Sequence, residues 1–179
     1  MKWFCKPDAE TMKGRGLIFL WIALCNVAAQ LLHGALASIG IASWTIFLAN
    51  VLFFIMENPN MKERYLQSIC GGALGLVCAA GLVKVKLALT GAGLPEMPAT
   101  LIPVIAVLFL TLFLHPVCPY FCNNIALAFF TVALISAKAV YANLPGHLLG
   151  MLLGNLIVNT GVILVVRFHA KRQAAKTAG

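Results

Sequence analysis

The sequence predicts an all-α polytopic membrane protein of six transmembrane helices, built as two inverted three-helix repeats. Three observations predict it: an apolar composition, six nearly charge-free runs, and an internal echo of small residues. Of 179 residues, 61% are hydrophobic and 10% charged, with a mean hydropathy of +0.95. Soluble domains hold roughly 45–50% apolar and about 25% charged residues. The composition excludes a water-soluble enzyme and a disordered tail, and makes the lipid bilayer the principal partner. The net charge of +8 is what basic residues flanking membrane spans produce, so it implies no nucleic-acid partner.

Residues 1–15 read as a mixed polar segment carrying Lys2, Lys6, Lys13 and Arg15. A transmembrane domain is expected over 16–168 and a basic tail over 169–179. The first apolar run, 17–39, exceeds the ~7–15 residue core of a signal peptide and meets the ~20 residues a span requires. It therefore reads as a retained helix. The second run, 41–56, is closed by Glu57, Asn58, Pro59 and Asn60. A third starts near Leu66, stays uncharged to Val83, and is followed by Lys84 and Lys86. The fourth, 99–114, comes after the turn-forming stretch GAGLPEMP. The fifth, 121–141, ends at Asn143, Leu144, Pro145 and Gly146, and the sixth, 148–166, ends at Arg167. None alternates apolar with polar residues, and helices satisfy their own backbone in lipid. Gly, Pro and Asn between the runs are turn formers.

Ten of the thirteen basic residues fall on one side of a six-span topology: Lys2, Lys6, Lys13, Arg15, Lys62, Arg64, Arg167, Lys171, Arg172 and Lys176. Only Lys84, Lys86 and Lys138 fall on the other. Positive charge stays inside, so both termini are expected in the cytoplasm, as an even number of spans requires. Cys5, Cys118 and Cys122 then face the cytoplasm, where disulfides are rare. The spacing of Cys118 and Cys122 is not the usual metal-binding one, and no His/Cys partner pair follows; no metal or cofactor is expected.

Offsetting the chain by 75 residues overlays Gly71 on Gly146, Gly75 on Gly150, and Ala79 on Gly154. Both segments, GGALGLVCA at 71–79 and GHLLGMLLG at 146–154, are ladders of small residues that let helices approach closely. The offset divides the chain into three spans plus three. Since three is odd, the halves would be inverted across the membrane, a device of transporters and channels. The flat face of Gly146, Gly150 and Gly154 also suits contact within or between subunits, and a homo-oligomer is expected.

Asn26, Gln30 and His33 recur at one helical face of the first span, and Asn155 and Asn159 at one face of the sixth. Polar stripes in lipid must face protein or water. The two are expected to meet at mid-membrane as a solute pathway. The alternative is interhelical hydrogen bonding, worth roughly 0.6–2 kcal/mol per contact. Lys138 lies near the outer rim with Lys84 and Lys86. It either snorkels to the interface or helps attract an anion. The apolar runs contain no Asp or Glu, and no nucleophile, metalloprotease or nucleotide-binding motif is present. The expected function is therefore a small-solute channel or carrier for a polar or anionic metabolite, and not an enzyme; the alternatives are a membrane substrate-binding subunit of a partner-driven transporter and a non-transport structural or regulatory membrane protein.

The stretch ASIGIASWTIFLANVLFF at 37–54 and the segment NLPGHLLGM at 143–151 resemble YcdZ-like small bacterial inner-membrane proteins of unknown function. The chain departs from them at ENPNMKERY, where a Gly-rich link is usual. The resemblance implies a transport-related protein of the bacterial inner membrane. The length, six runs and the ladder at Gly71, Gly75 and Ala79 are also similar to the substrate-binding subunits of energy-coupling-factor transporters. There, however, the ladder usually lies in the first span.

Overall fold

The computed structural model describes residues 9–56 and 60–177. Lys2, Cys5 and Lys6, and the segment-closing Glu57, Asn58 and Pro59, lie outside the described residues. Among the described residues every regular element is a helix: α1 (Ala9–Leu31), α2 (His33–Ser38), α3 (Ser43–Ile55), α4 (Met61–Gly91), α5 (Glu96–Leu114), α6 (Asn124–Leu134), α7 (Ala137–Ala142), α8 (Leu144–Leu153) and α9 (Thr160–Thr177). One π-helical turn, Gly154–Asn159, joins α8 to α9.

Among the described residues three helices are long and apolar enough to cross a membrane: Met61–Gly91, Glu96–Leu114 and Leu144–Arg172. Arg15–Leu31, Ser43–Phe54 and Asn124–Leu134 are shorter apolar helices. The expectation of six full-length helices is corrected accordingly, and each shortfall has a local cause. The run at 17–39 is interrupted at Leu32, between α1 and α2. The run at 41–56 gives its first residues to a turn. There Gly40 takes φ +79, which side chains resist, and Ala42 is extended. The run at 121–141 breaks at Ile135 and Ser136. Their N–H groups bond carbonyls three residues back, a tightening typical of helix ends. At ~1.5 Å per residue, α6 is only about 17 Å long, against a hydrocarbon core of about 30 Å.

α4 shows the reverse. It runs past Val83 to Gly91, since lysine is a good helix former, and both lysines find partners. Lys86 Nζ donates to Glu96 at 2.8 Å, and Lys84 Nζ stands 5.7 Å from the Tyr141 ring centre. The chain turns into α5 at Gly93, with φ +90.

Asparagines start three of the helices. Asn60 accepts from the Lys62 N–H at the head of α4. Asn123 Oδ1 accepts from the Ile125 and Ala126 N–H groups at the head of α6. Asn143 Oδ1 accepts from Gly146 N–H at the head of α8. Each satisfies donors the first turn leaves free. Two of them also join distant segments. Asn123 Nδ2 donates to Gln67 O at 3.0 Å, and Asn143 Nδ2 donates to Gly40 O at 2.6 Å.

α4 is the axis of the bundle and packs against α3, α5, α6, α7 and α8. Its buried face is small: Ser68, Gly71, Gly72, Gly75, Ala79 and Ala80 among others. α6 lies along it in the same direction. A Cβ on Gly71 would strike the Asn123 side chain, and one on Gly75 would strike Ala126 O and lie 2.8 Å from Phe130 N. A second parallel pair has the same character. A Cβ on Gly146 would strike Gly40 O, one on Gly150 would lie 2.7 Å from Ala42 O, and one on Gly154 would lie 2.5 Å from Ile46 O. Thus α8 and the π turn lie along α3, backbone to backbone. α4 runs antiparallel to this second unit, through Tyr65 with Thr160 and Ser68 with Asn155. Phe129, Phe130, Leu76, Met151 and Val140 fill the space between the pairs.

These contacts define two ends. Gly40, Lys84, Lys86, Glu96, Tyr141 and Asn143 gather at one. Arg64, Tyr65, Gln67, Asn123 and Thr160 gather at the other.

Candidate functional site

Helical periodicity places Asn26, Gln30 and His33 on one face, but that face lies at the edge of the bundle. Gln30 and His33 are exposed and Asn26 is half-buried. Asn26 Nδ2 donates to its own helix at Ile22 O, 2.8 Å away. His33 Nδ1 pairs with Ser43 Oγ at 2.8 Å. Asn26 and Gln30 line only a shallow hollow with Phe47. α1 meets the π turn through a different face, where Trp21 Nε1 donates to Val158 O at 3.0 Å. No hydrogen bond joins the two asparagine stripes, so the meeting expected from sequence does not occur.

The other stripe lies at the centre. Asn155 and Asn159 are 0% exposed, as are Ser68 on α4 and Asn50 on α3. Ser68 Oγ donates to Asn155 Oδ1 at 2.6 Å, and Asn159 Nδ2 donates to the same oxygen at 3.1 Å. Asn155 Nδ2 donates to Met151 O at 3.0 Å. Asn155 is therefore fully engaged. Asn159 Oδ1, Asn50 Oδ1 and Asn50 Nδ2 have no hydrogen-bond partner. Asn50 lies one turn along α3 from Ile46, against whose carbonyl Gly154 closes.

A buried polar atom without a partner costs about 1–3 kcal/mol; one of the three lies on the π turn and two on α3, the helix packed against it. π turns recur at functional sites because they widen the helix and re-aim its side chains. The cluster is neutral, offering amide oxygens and an amide N–H. It suits a small uncharged polar guest or water.

Lys138 lies away from this cluster. It lines a cavity of about 800 Å³ between α4, α5 and the α6–α7 break, together with Lys86, Glu96 and Ser136. The remaining predicted residues, Gly71, Gly75, Gly146, Gly150 and Gly154, form the close helix contacts described above.

Sequence reading singled out neither Ser68 nor Asn50. Ser68 carries a signal in hindsight: it extends the small-residue face of Gly71, Gly72 and Gly75 by one turn. Cys118 is exposed and Cys122 buried. Burial, reinforced by the neighbouring Cys118, pushes the Cys122 thiol above its ordinary range. His115 Nδ1 is directed at the Cys122 backbone carbonyl. Among the described residues no group of three or more His, Cys, Asp or Glu side chains is placed to hold a metal ion.

No family model, curated protein or solved structure matches the chain. The two family resemblances rest on their short motifs alone.

Proposed function

We propose that the chain is a six-span protein of the bacterial inner membrane, with both termini cytoplasmic, that carries a small polar solute through the cluster at the π turn. The carrying observation is the set of unpartnered amide atoms on Asn50 and Asn159, buried on two different helices. A neutral polar guest would satisfy all three and offset their cost. Complete burial of the cluster favours a carrier with alternating access over a permanently open channel.

The six-span topology draws support from helix directions and charge. The parallel pairs α4–α6 and α3–α8 are those that an up-and-down order of six spans makes parallel. The echo at 75 residues then reads as an inverted repeat, with each half giving its small-residue helix to the other half's second span. Arg64 stands at the end opposite Lys84 and Lys86, as positive-inside orientation requires.

The test is light-scattering swelling of proteoliposomes in glycerol, urea or lactate. The parent protein is expected to accelerate swelling in at least one of them, and Asn159→Leu to lower that rate at least about tenfold, the loss of one guest hydrogen bond. Equal rates for the parent and Asn159→Leu would end the site assignment, and no flux of any solute would end the carrier reading.

A further inference from the structure

The cavity at the α6–α7 break has its own chemistry. Its volume of about 800 Å³ lies within the roughly 300–1,000 Å³ of small-molecule sites. Its deeper walls are apolar, formed by Leu82, Val83, Val104 and Leu134. Its charged groups, Lys86, Glu96 and Lys138, are half-buried or exposed and mark its rim. There two cations, Lys86 and Lys138, share one carboxylate, Glu96, which Lys86 already binds at 2.8 Å. The rim is therefore net positive, with Lys138 left to attract a further anion. Thr90 and Thr100 direct their hydroxyl hydrogens to carbonyls of their own helices. Ser136 makes no cap bond to α7, so its hydroxyl can donate elsewhere.

The helix break shapes this site. Leu134 ends α6 and Ala137 opens α7, so Ile135 and Ser136 line the cavity as irregular backbone. In an apolar bundle such backbone is tolerated where it lines a cavity. α5, the opposite wall, buries only Ala99, Pro103 and Thr111. Its other side chains leave the cavity within reach of the surrounding lipid.

We infer that this cavity binds a single-chain amphiphile with an anionic head, drawn from the lipid phase. The head sits between Lys138, Lys86 and Ser136, and the chain lies against Leu82, Val83, Val104 and Leu134. Net positive charge selects an anion. The apolar depth selects a long chain over a small soluble acid, since each buried CH₂ contributes about 0.8 kcal/mol. The site is separate from the amide cluster and does not depend on the carrier reading.

The test uses the whole protein in a non-ionic detergent, with a fluorescent polyene fatty acid as reporter. Palmitate, methyl palmitate and butyrate are titrated as competitors. Palmitate is expected to displace the reporter, while the other two compete at least about tenfold more weakly, a difference of about 1.4 kcal/mol. Lys138→Gln, a change at an exposed position, should weaken palmitate by about tenfold. Val83→Trp, which fills the apolar part and leaves both lysines, should weaken it as well. Asn159→Leu should leave palmitate binding unchanged, which separates this site from the carrier test. Methyl palmitate competing as well as palmitate would overturn the anion requirement, and butyrate doing so would overturn the acyl chain. Absence of displacement by palmitate, or unchanged binding in both Lys138→Gln and Val83→Trp, would remove the site.

Discussion

The chain holds two asparagine-bearing helix faces that look alike in sequence and differ in every physical respect. On α1, Asn26 bonds back to Ile22 O, Gln30 is exposed, and His33 pairs with Ser43. On the π turn, Asn155 accepts from Ser68, Asn159 binds Asn155, and an unpaired oxygen lies in the core. The first face meets its polar groups near the surface, within α1 at Ile22 and with Ser43 ten residues on. The second is buried, is tied to another helix through Ser68, and is answered incompletely. A polar stripe is therefore informative about function only when it is buried and its own hydrogen bonds leave polar atoms unanswered.

The largest expected effect lies beneath this contrast, in the packing that seals the inner cluster. Gly75→Leu drives a side chain into the backbone of α6 at Ala126 and Phe130. Two backbones cannot yield as a side-chain tip can, so a loss of about 3 kcal/mol or more is expected, at the upper end for overpacking. Loss of the monodisperse peak in size-exclusion chromatography would report it. Retention of that peak with an unchanged Tm would mean that α4 and α6 are not in direct contact.

Asn155→Leu comes next. It strips Ser68 Oγ and Asn159 Nδ2 of their shared acceptor in a buried setting. A destabilisation of roughly 1–3 kcal/mol is expected, read as a lowered Tm that Ser68→Ala partly restores in the double variant.

Asn50→Leu should act in the opposite direction. Both side-chain polar atoms of Asn50 are buried and unpaired. Replacing them with methyl groups should raise the Tm of the purified protein, by about 1 kcal/mol in stability, while removing solute flux. A lowered Tm would show that the asparagine makes contacts in the resting protein.

Gln30→Leu tests the outer face and should change stability by no more than about 0.5 kcal/mol, leaving flux intact. Loss of flux in this variant would return α1 to the pathway and erase the contrast.

The smallest effect is chemical. Exposed Cys118 should react with a maleimide near neutral pH. Cys122, buried and with its thiol pushed above the ordinary range, holds less thiolate at any given pH and should label only as pH rises. Peptide mapping after labelling distinguishes the two.

Much of the architecture was legible because it follows from composition and local chemistry. Apolar runs without alternation dictate helices, and the segregation of charge is read from Lys and Arg alone. The glycine ladders mark where backbones must approach. The turn residues around Gly40, Gly93 and Asn143 mark where helices stop. Helix length was less legible. The break at Ile135 and Ser136 carries no proline or glycine, and α4 continues through Lys84 and Lys86 to Gly91, where loss of apolar character gives no sign of a helix end or of its absence.

The sequence by itself determined an all-helical, apolar chain, the faces on which its polar and small residues lie, and the asparagines that start its helices. These are properties of one helix at a time, governed by a period of 3.6 residues and by the first-turn donors. Only the tertiary structure decided which faces meet. It joined Ser68 to the π turn, buried Asn50 on the helix packed against that turn, left Gln30 exposed, and drew Lys138 to the cavity with Lys86 and Glu96. Periodicity gives the angle of a side chain about its own axis and carries no information about the neighbouring axis. That neighbour is chosen by the closest approach of backbones at Gly75 and Gly154, which is a property of two helices together.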